Sequence, residues 1–137
     1  MRDVLVLDAC ALLVVARNEE GADVVSDVYA KAAKGEVKLL LNRINLLEVY
    51  YDFYRHKGKI YADDFVKIVK RSDIQICEFD EHIFIHAGRL KASHKISLAD
   101  SIALAQAIVS NGALITCDHH EFDIIEGKEP IKFMWIR

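Results

Sequence analysis

Little in this chain points to a membrane, a secretion signal or several domains. It contains one proline, and no apolar run approaches the roughly eighteen residues that a membrane-spanning helix requires. The sequence opens directly with Met1-Arg2-Asp3, which lacks the charged and apolar regions of a signal peptide. No linker-like stretch interrupts the 137 residues. We therefore expect a single domain over residues 1–137, cytoplasmic and without membrane contact.

Cysteine and excess positive charge are also scarce. The three cysteines, Cys10, Cys77 and Cys117, lie in apolar surroundings and form no CxxC pair. This pattern favours reduced, buried thiols over a disulfide framework or a zinc site. A net charge of -3 lacks the basic excess of a dedicated nucleic-acid binder. It does not exclude a nuclease, whose acids are concentrated in one site.

The chain does contain a regular alternation of short apolar runs and helical segments. The first run, Val4–Leu7, has the composition of a strand buried on both faces. Further strands are predicted at 37–41, 74–79, 113–118 and 131–136, with the strand at 74–79 at a sheet edge. Helices are predicted at 9–17, 22–34, 46–56, 62–71, 80–93 and 98–110, with a turn at 42–45. The alternation predicts an α/β fold, a three-layer α/β/α sandwich with a central, mainly parallel sheet of four to five strands.

Four acids stand where strands end or helices begin. Asp8 and Asp118 end predicted strands, Glu48 begins the helix after the second strand, and Asp100 begins the helix that leads to the fourth. Each alone could be an ordinary N-cap, and the segments around Glu48 and Asp100 have the form of capping boxes. The carboxyl ends of parallel strands share one edge, so three of these acids should meet there. Asp100 joins them only if the start of its helix faces the same edge.

Such a group of acids calls for a cation. Carboxylates within about 6 Å of one another repel by on the order of 1 kcal/mol or more per pair at the effective dielectric of a protein surface. A divalent cation would offset that repulsion, and a set of oxygen ligands selects Mg²⁺ or Mn²⁺ over Zn²⁺. The residues therefore predict a metal site formed by Asp8, Glu48, Asp100 and Asp118.

The motifs around these acids resemble those of a known family. They are Val-Leu-Asp at 6–8, Asn-Leu-Leu-Glu-Val at 45–49, Ser-Leu-Ala-Asp-Ser at 97–101 and Ile-Thr-Cys-Asp at 115–118. Their order and spacing are similar to the acidic motifs of the PIN-domain nucleases. The resemblance covers the chain from Val4 to the last strand. The size of the chain is similar to that of the VapC-type toxins of prokaryotic toxin–antitoxin pairs.

The resemblance implies a Mg²⁺- or Mn²⁺-dependent endoribonuclease in which the four acids are both catalytic and metal-binding. Thr116 matches the small hydroxyl residue two positions before the last acid, and Asn45 would lie behind the ligands with it. Cys10 and Asn45 stand where many members carry a serine, threonine or asparagine. The resemblance also implies an antitoxin protein as partner and, often, a homodimer.

Several other side chains are candidates for contacts with RNA or a partner. Arg55, Lys57 and His119 could contact RNA, and an ordinary polar surface is the alternative for each. The aromatic residues between positions 50 and 65 could line a groove for a partner, although core packing explains most of them equally well.

Two other functions remain open at this point. One is a catalytically silent PIN scaffold that only binds RNA or protein. The other is an acid-pocket binding or signalling module, such as a phosphoacceptor receiver domain. A receiver would carry paired acids after its first strand and a lysine ending its last, whereas the first strand here carries Asp8 alone.

Overall fold

The computed structural model describes residues 2–137, so residue 1 of the expected domain lies outside the described part. The strands are β1 (Asp3–Leu7), β2 (Val37–Asn42), β3 (Gln75–Cys77), β4 (Ala113–Thr116) and β5 (Lys132–Trp135). The helices are α1 (Ala9–Ala16), α2 (Ala22–Ala33), α3 (Arg43–Lys57), α4 (Lys59–Arg71), α5 (Glu81–Ser93), α6 (Leu98–Val109) and α7 (His119–Phe122). Within residues 2–137 none of the helices combines the length and the apolar character needed to cross a bilayer.

The five strands form one parallel sheet in the order β3-β2-β1-β4-β5, which confirms the predicted α/β sandwich. Alternate residues of the central strand β1 point to opposite faces. Leu7 packs among residues of α1 to α4, whereas Val6 packs among residues of α5 and α6. Both side chains are fully buried, as expected of a strand covered by helices on both faces. The predicted edge strand is β3, although it is only three residues long.

The boundaries of α3 and α4 differ from the sequence prediction. The predicted turn at 42–45 is wrong, because Asn42 ends β2 and its side chain accepts a hydrogen bond from the Ile44 N–H at 3.0 Å. A helix cap placed directly on the strand end leaves no room for a turn. Glu48 therefore lies in the second turn of α3 and not at its start. Gly58, with φ +93°, joins α3 directly to α4.

The prediction of three reduced thiols is also wrong for two of the cysteines. Cys10 in the first turn of α1 and Cys117 just after β4 form a disulfide, with their Cα atoms 6.1 Å apart. Because β1 and β4 are neighbours, the residues that follow their ends meet although 107 positions separate them. No local motif announces such a pairing, whereas Cys77 stays free as predicted.

Counting thiols tests the disulfide. Alkylation of the denatured protein without reductant should label Cys77 alone, and prior reduction should expose all three cysteines. Reduction should also lower the free energy of unfolding, because a cross-link over so long a loop contributes about 5 kcal/mol in the chain-entropy view. Cys77→Ser is the matched control, with no labelling before reduction. Three labelled thiols in the unreduced wild type would restore the original prediction.

Candidate active site

The carboxyl edge of the sheet carries a cavity of about 420 Å³ lined by Glu48, Asp100 and Asp118. Asp118 arrives there from the end of β4 and Glu48 from the second turn of α3. Asp100 reaches the same edge because α6 starts there and runs back to the beginning of β4. The structure thus brings these three acids to one cavity, and Asp8 lies buried next to it.

Asp8 is only 1% exposed and follows directly after β1. Its Oδ1 accepts the Ala11 N–H at 2.8 Å, so it is the N-cap of α1. Burial raises its pKa to about 7, and the charges of Asp118 and Glu48 add to the rise, while the Thr116 hydroxyl and the Ala11 N–H counteract it. The capping role and a place in the acidic group are therefore compatible.

Thr116, the fully buried last residue of β4, links two of the acids. Its hydroxyl donates to Asp8 Oδ2 at 2.5 Å and accepts the Asp118 N–H at 3.0 Å. Asp118 Oδ1 in turn accepts the N–H of Glu121 at 3.2 Å and caps α7, a short helix that the sequence did not predict. One side chain therefore sets the position of Asp8 relative to the backbone of Asp118.

Asp100 belongs to a cluster that includes one acid the sequence analysis missed. Oxygens of Asp100, Asp118 and Glu121 all lie within 4.8 Å of one another. Burial raises the pKa of Asp100 to about 8, with contributions from the Asp118 and Asp8 charges. Glu121 accepts the Ser97 N–H at 3.2 Å, next to the Ser97 hydroxyl that caps α6. The spacing of Glu121 three residues after Asp118, the spacing of a capping box, was the available signal.

Glu48 and Asn45 contribute from α3. Burial, together with the charges of Asp118 and Asp52, raises the pKa of Glu48. Asn45 is fully buried, and its Nδ2 donates to the Ala99 carbonyl at 3.0 Å, which fixes the start of α6 against α3. Its buried Oδ1 has no partner among the described residues, so it could accept a hydrogen bond from a ligand or its hydration water.

The donor set fits a hard divalent cation. The available atoms are carboxylate oxygens whose protonation is favoured by burial and by mutual repulsion, plus one unpaired amide oxygen. The nearby sulfurs of Cys10 and Cys117 are bonded to each other and so are not thiolate ligands. Oxygen ligands without thiolates suit Mg²⁺ or Mn²⁺ better than Zn²⁺.

The three candidate RNA contacts fall in different places. Lys57 is nine residues beyond Glu48 on α3, which turns it roughly 180° away from Glu48 around the helix. Arg55 lies over the ring of Tyr51, itself a cavity residue, with 5.6 Å to the centroid. His119 pairs with Asp123 at 2.7 Å, which raises its pKa, and its other ring nitrogen contacts the Arg137 carbonyl oxygen at 2.8 Å. None of the three lines the cavity, and Lys57 in addition faces away from Glu48.

Comparison with known proteins places this arrangement in context. The family model of the PIN domain matches residues 5–128, which include all the acids described above. No curated protein matches the chain.

Solved structures with the same fold come from bacterial toxin–antitoxin systems. VapBC2 from Rickettsia felis, bound to a promoter DNA fragment, has a TM-score of 0.76 at 17% identity and covers 96% of this chain and 98% of its own. DNA-bound VapBC from Salmonella typhimurium has a TM-score of 0.76 at 15% identity, covering 100% of both chains. VapC20 from Mycobacterium tuberculosis, a sarcin-ricin loop cleaving toxin, has a TM-score of 0.66 at 11% identity, covering 90% and 95%. At these identities the likeness shows a common fold.

Removing the Thr116 hydroxyl tests its linking role. Thr116→Val keeps the shape of the side chain but leaves Asp8 Oδ2 without its donor and the Asp118 N–H without its acceptor. We expect the free energy of unfolding to fall by about 1 to 3 kcal/mol in urea denaturation. Thr116→Ser, which keeps the hydroxyl, should lose much less. A Thr116→Val variant as stable as the wild type would show that the two hydrogen bonds contribute nothing to the fold.

The raised pKa values predict how the stability of the metal-free protein depends on pH. Asp8 and Asp100 titrate at about 7 and about 8 in the folded chain, against an ordinary value of 3.8. Between about pH 4 and pH 8 the folded chain binds more protons at these two groups than the unfolded chain does. The free energy of unfolding should therefore fall as the pH rises through this range. Denaturation in a chelator across this range checks the slope, and Asp8→Asn should flatten it. Mn²⁺ should stabilise more at the alkaline end, and a flat wild-type profile would contradict the assignment.

Proposed function

This chain belongs to the PIN-domain family, and from that premise we propose that it is a Mg²⁺- or Mn²⁺-dependent endoribonuclease, the toxin of a toxin–antitoxin pair. The observation that carries the proposal is the convergence of carboxylates from four separate elements beside one cavity. Burial and mutual repulsion raise the pKa of Asp8, Glu48 and Asp100, which is the electrostatic signature of a site built for a cation.

A cation held by Asp8, Glu48, Asp100 and Asp118, with Glu121 beside them, would acidify a bound water and neutralise charge on the scissile phosphate. The protein's own share is to hold these oxygens in place. Thr116 and the first turn of α1 orient Asp8, and the Ser97 cap and the Asn45 amide orient the start of α6 that carries Asp100. Rigid elements on all sides limit movement of the ligands.

Glu48 is the proposed general base. It is half-buried and lines the cavity, and its raised pKa brings it nearer to the pH at which a carboxylate accepts protons efficiently. Unlike Asp8 and Asp118, it caps no helix, so its oxygens are not occupied by backbone N–H groups of a helix start. Its proposed task is to take the proton from the attacking water.

The alternatives are less well supported. A receiver-type module conflicts with the match to the PIN-domain model over residues 5–128. A catalytically silent PIN scaffold has no need of several acids crowded around one cavity, because their repulsion destabilises the fold without any return. RNA is the proposed substrate class, and the sarcin-ricin loop cleaving toxin with the same fold supports that choice.

An antitoxin protein is the proposed partner, with the chain acting in the cytoplasm and pairing as a homodimer. The fold neighbours include a toxin–antitoxin complex from Klebsiella pneumoniae, which supports this choice. A groove of about 520 Å³ between α3 and α4 offers a place for such a partner, with Leu46, Leu47, Tyr50 and Val66 in its apolar wall. Of the aromatic residues considered for a partner groove, Tyr50 lines this one, whereas Phe53 is buried in the core.

Cleavage of RNA by the purified chain tests the proposal. The wild type should hydrolyse RNA with Mg²⁺ or Mn²⁺ and lose that activity in a chelator. Asp118→Asn and Asp100→Asn should each lower the rate by at least about a hundredfold, a loss typical of removing charge that stabilises a transition state. Gel analysis of structured and unstructured RNAs, with time courses, provides the measurement.

The matched control is Asp23→Asn, which removes an acid from the first turn of α2 outside the cavity and should cleave like the wild type. Circular dichroism on every variant separates lost chemistry from lost fold. Wild-type protein that leaves all RNAs intact with both metals would contradict the nuclease assignment and favour the silent scaffold.

A further inference from the structure

The cavity at the carboxyl edge contains two guanidinium groups that have no role in the proposed hydrolysis. Its lining includes Arg17, which caps the C-terminus of α1, and Arg137, which follows β5. Neither residue belongs to a sequence motif of the acidic site. We infer that Arg17 and Arg137 bind RNA backbone phosphates adjacent to the one that is cleaved, an inference that rests on the proposed function.

The position of both groups suits contact with a polyanion. Their side chains are 43% and 34% exposed, and they line the same cavity as Glu48, Asp100 and Asp118. A strand of RNA entering this cavity would meet carboxylates wherever it did not meet a cation. The two arginines supply positive charge in the cavity wall, where the acids alone would repel the backbone.

The present partners of Arg17 and Arg137 are replaceable. Arg17 Nη2 pairs with Asp52 Oδ2 at 2.5 Å, and Arg137 Nη1 lies 3.8 Å from Glu19 Oε1. Exposed ion pairs of this kind contribute little to stability. A phosphate accepts two parallel N–H bonds from the guanidinium fork, so it can replace a carboxylate at small cost.

Arg137 is also held in relation to the acidic site. Its main-chain oxygen contacts His119 Nε2 at 2.8 Å, and its Nη1 donates to the Glu20 carbonyl at 3.2 Å. The ring of His119 stacks on Trp135, with centroids 3.9 Å apart and planes 10° apart. Because His119 directly follows Asp118, this chain of contacts ties Arg137 to the acidic site. His119, a candidate RNA contact from the sequence, thus acts as a positioning residue for Arg137.

Binding and cleavage of short single-stranded RNA of random sequence test the inference. Arg17→Gln and Arg137→Gln should each weaken binding about tenfold at low salt, since a charge-assisted hydrogen bond is lost. Each should also reduce the slope of log affinity against log salt by about 0.7, the value per phosphate contact on a single strand. Fluorescence anisotropy on the Asp8→Asn background keeps the RNA intact. In the active background KM should rise more than kcat falls.

Three further variants separate phosphate binding from other roles. Arg71→Gln removes the same charge at the end of α4 that leads toward the opposite edge of the sheet, and it should bind and cleave like the wild type. If Arg17 only neutralises Asp52, the double variant Arg17→Gln with Asp52→Asn should recover the wild-type KM. If Arg17 contacts a phosphate, the KM of the double variant should stay raised. Arg17→Lys should recover part of the binding and the full salt slope.

The outcomes distinguish this inference from the proposed function. Wild-type cleavage with unchanged KM and salt slope in Arg17→Gln and Arg137→Gln would overturn the inference alone. Absence of cleavage by the wild type, with RNA binding that still depends on both arginines, would leave the contacts standing and reject hydrolysis. Recovery of KM by the double variant would assign Arg17 a structural role and overturn its part of the inference.

Discussion

A buried carboxylate at the end of the central strand is the constraint on which the site depends. Asp8 is excluded from water, and its charge is opposed both by burial and by the acids around it. Two hydrogen bonds, from the Thr116 hydroxyl and the Ala11 N–H, hold its oxygens. They counteract the rise in its pKa without abolishing it, so the metal-free site favours protonation and a cation would favour the ionised form.

The parallel sheet explains why the acids meet. Every strand ends at the same edge. Asp8, the residue that follows β1, and Asp118, the second residue after β4, are therefore neighbours regardless of their separation along the chain. The same geometry brings Cys10 and Cys117 together beside Asp8 and Asp118. The disulfide therefore ties the first turn of α1 to the end of β4 at the place where the two acids must keep their relative position.

The opposition of charges in the cavity gives the site two parts. Glu48, Asp100 and Asp118, with Asp8 buried beside them, form the part suited to a cation. The guanidinium groups of Arg17 and Arg137 form the part suited to a phosphate chain. Apart from Glu48 in the second turn of α3, these residues lie at or just beyond the ends of secondary-structure elements. Such positions can carry charge into a cavity while the apolar interior of each element remains in the core.

The sequence by itself determined the α/β class, the order of strands and helices along the chain apart from the short α7, and the places of Asp8, Asp100 and Asp118 near element ends, because strand burial and helix capping are local signals. It did not reveal that α3 begins at Arg43, since Asn42 serves both as strand end and as cap. The proximity of Glu121 to Asp100, the disulfide and the place of the two arginines in the cavity depend on contacts between distant segments. Only the tertiary structure decided these, because the neighbours of a side chain across a sheet edge follow from strand order and not from spacing along the chain.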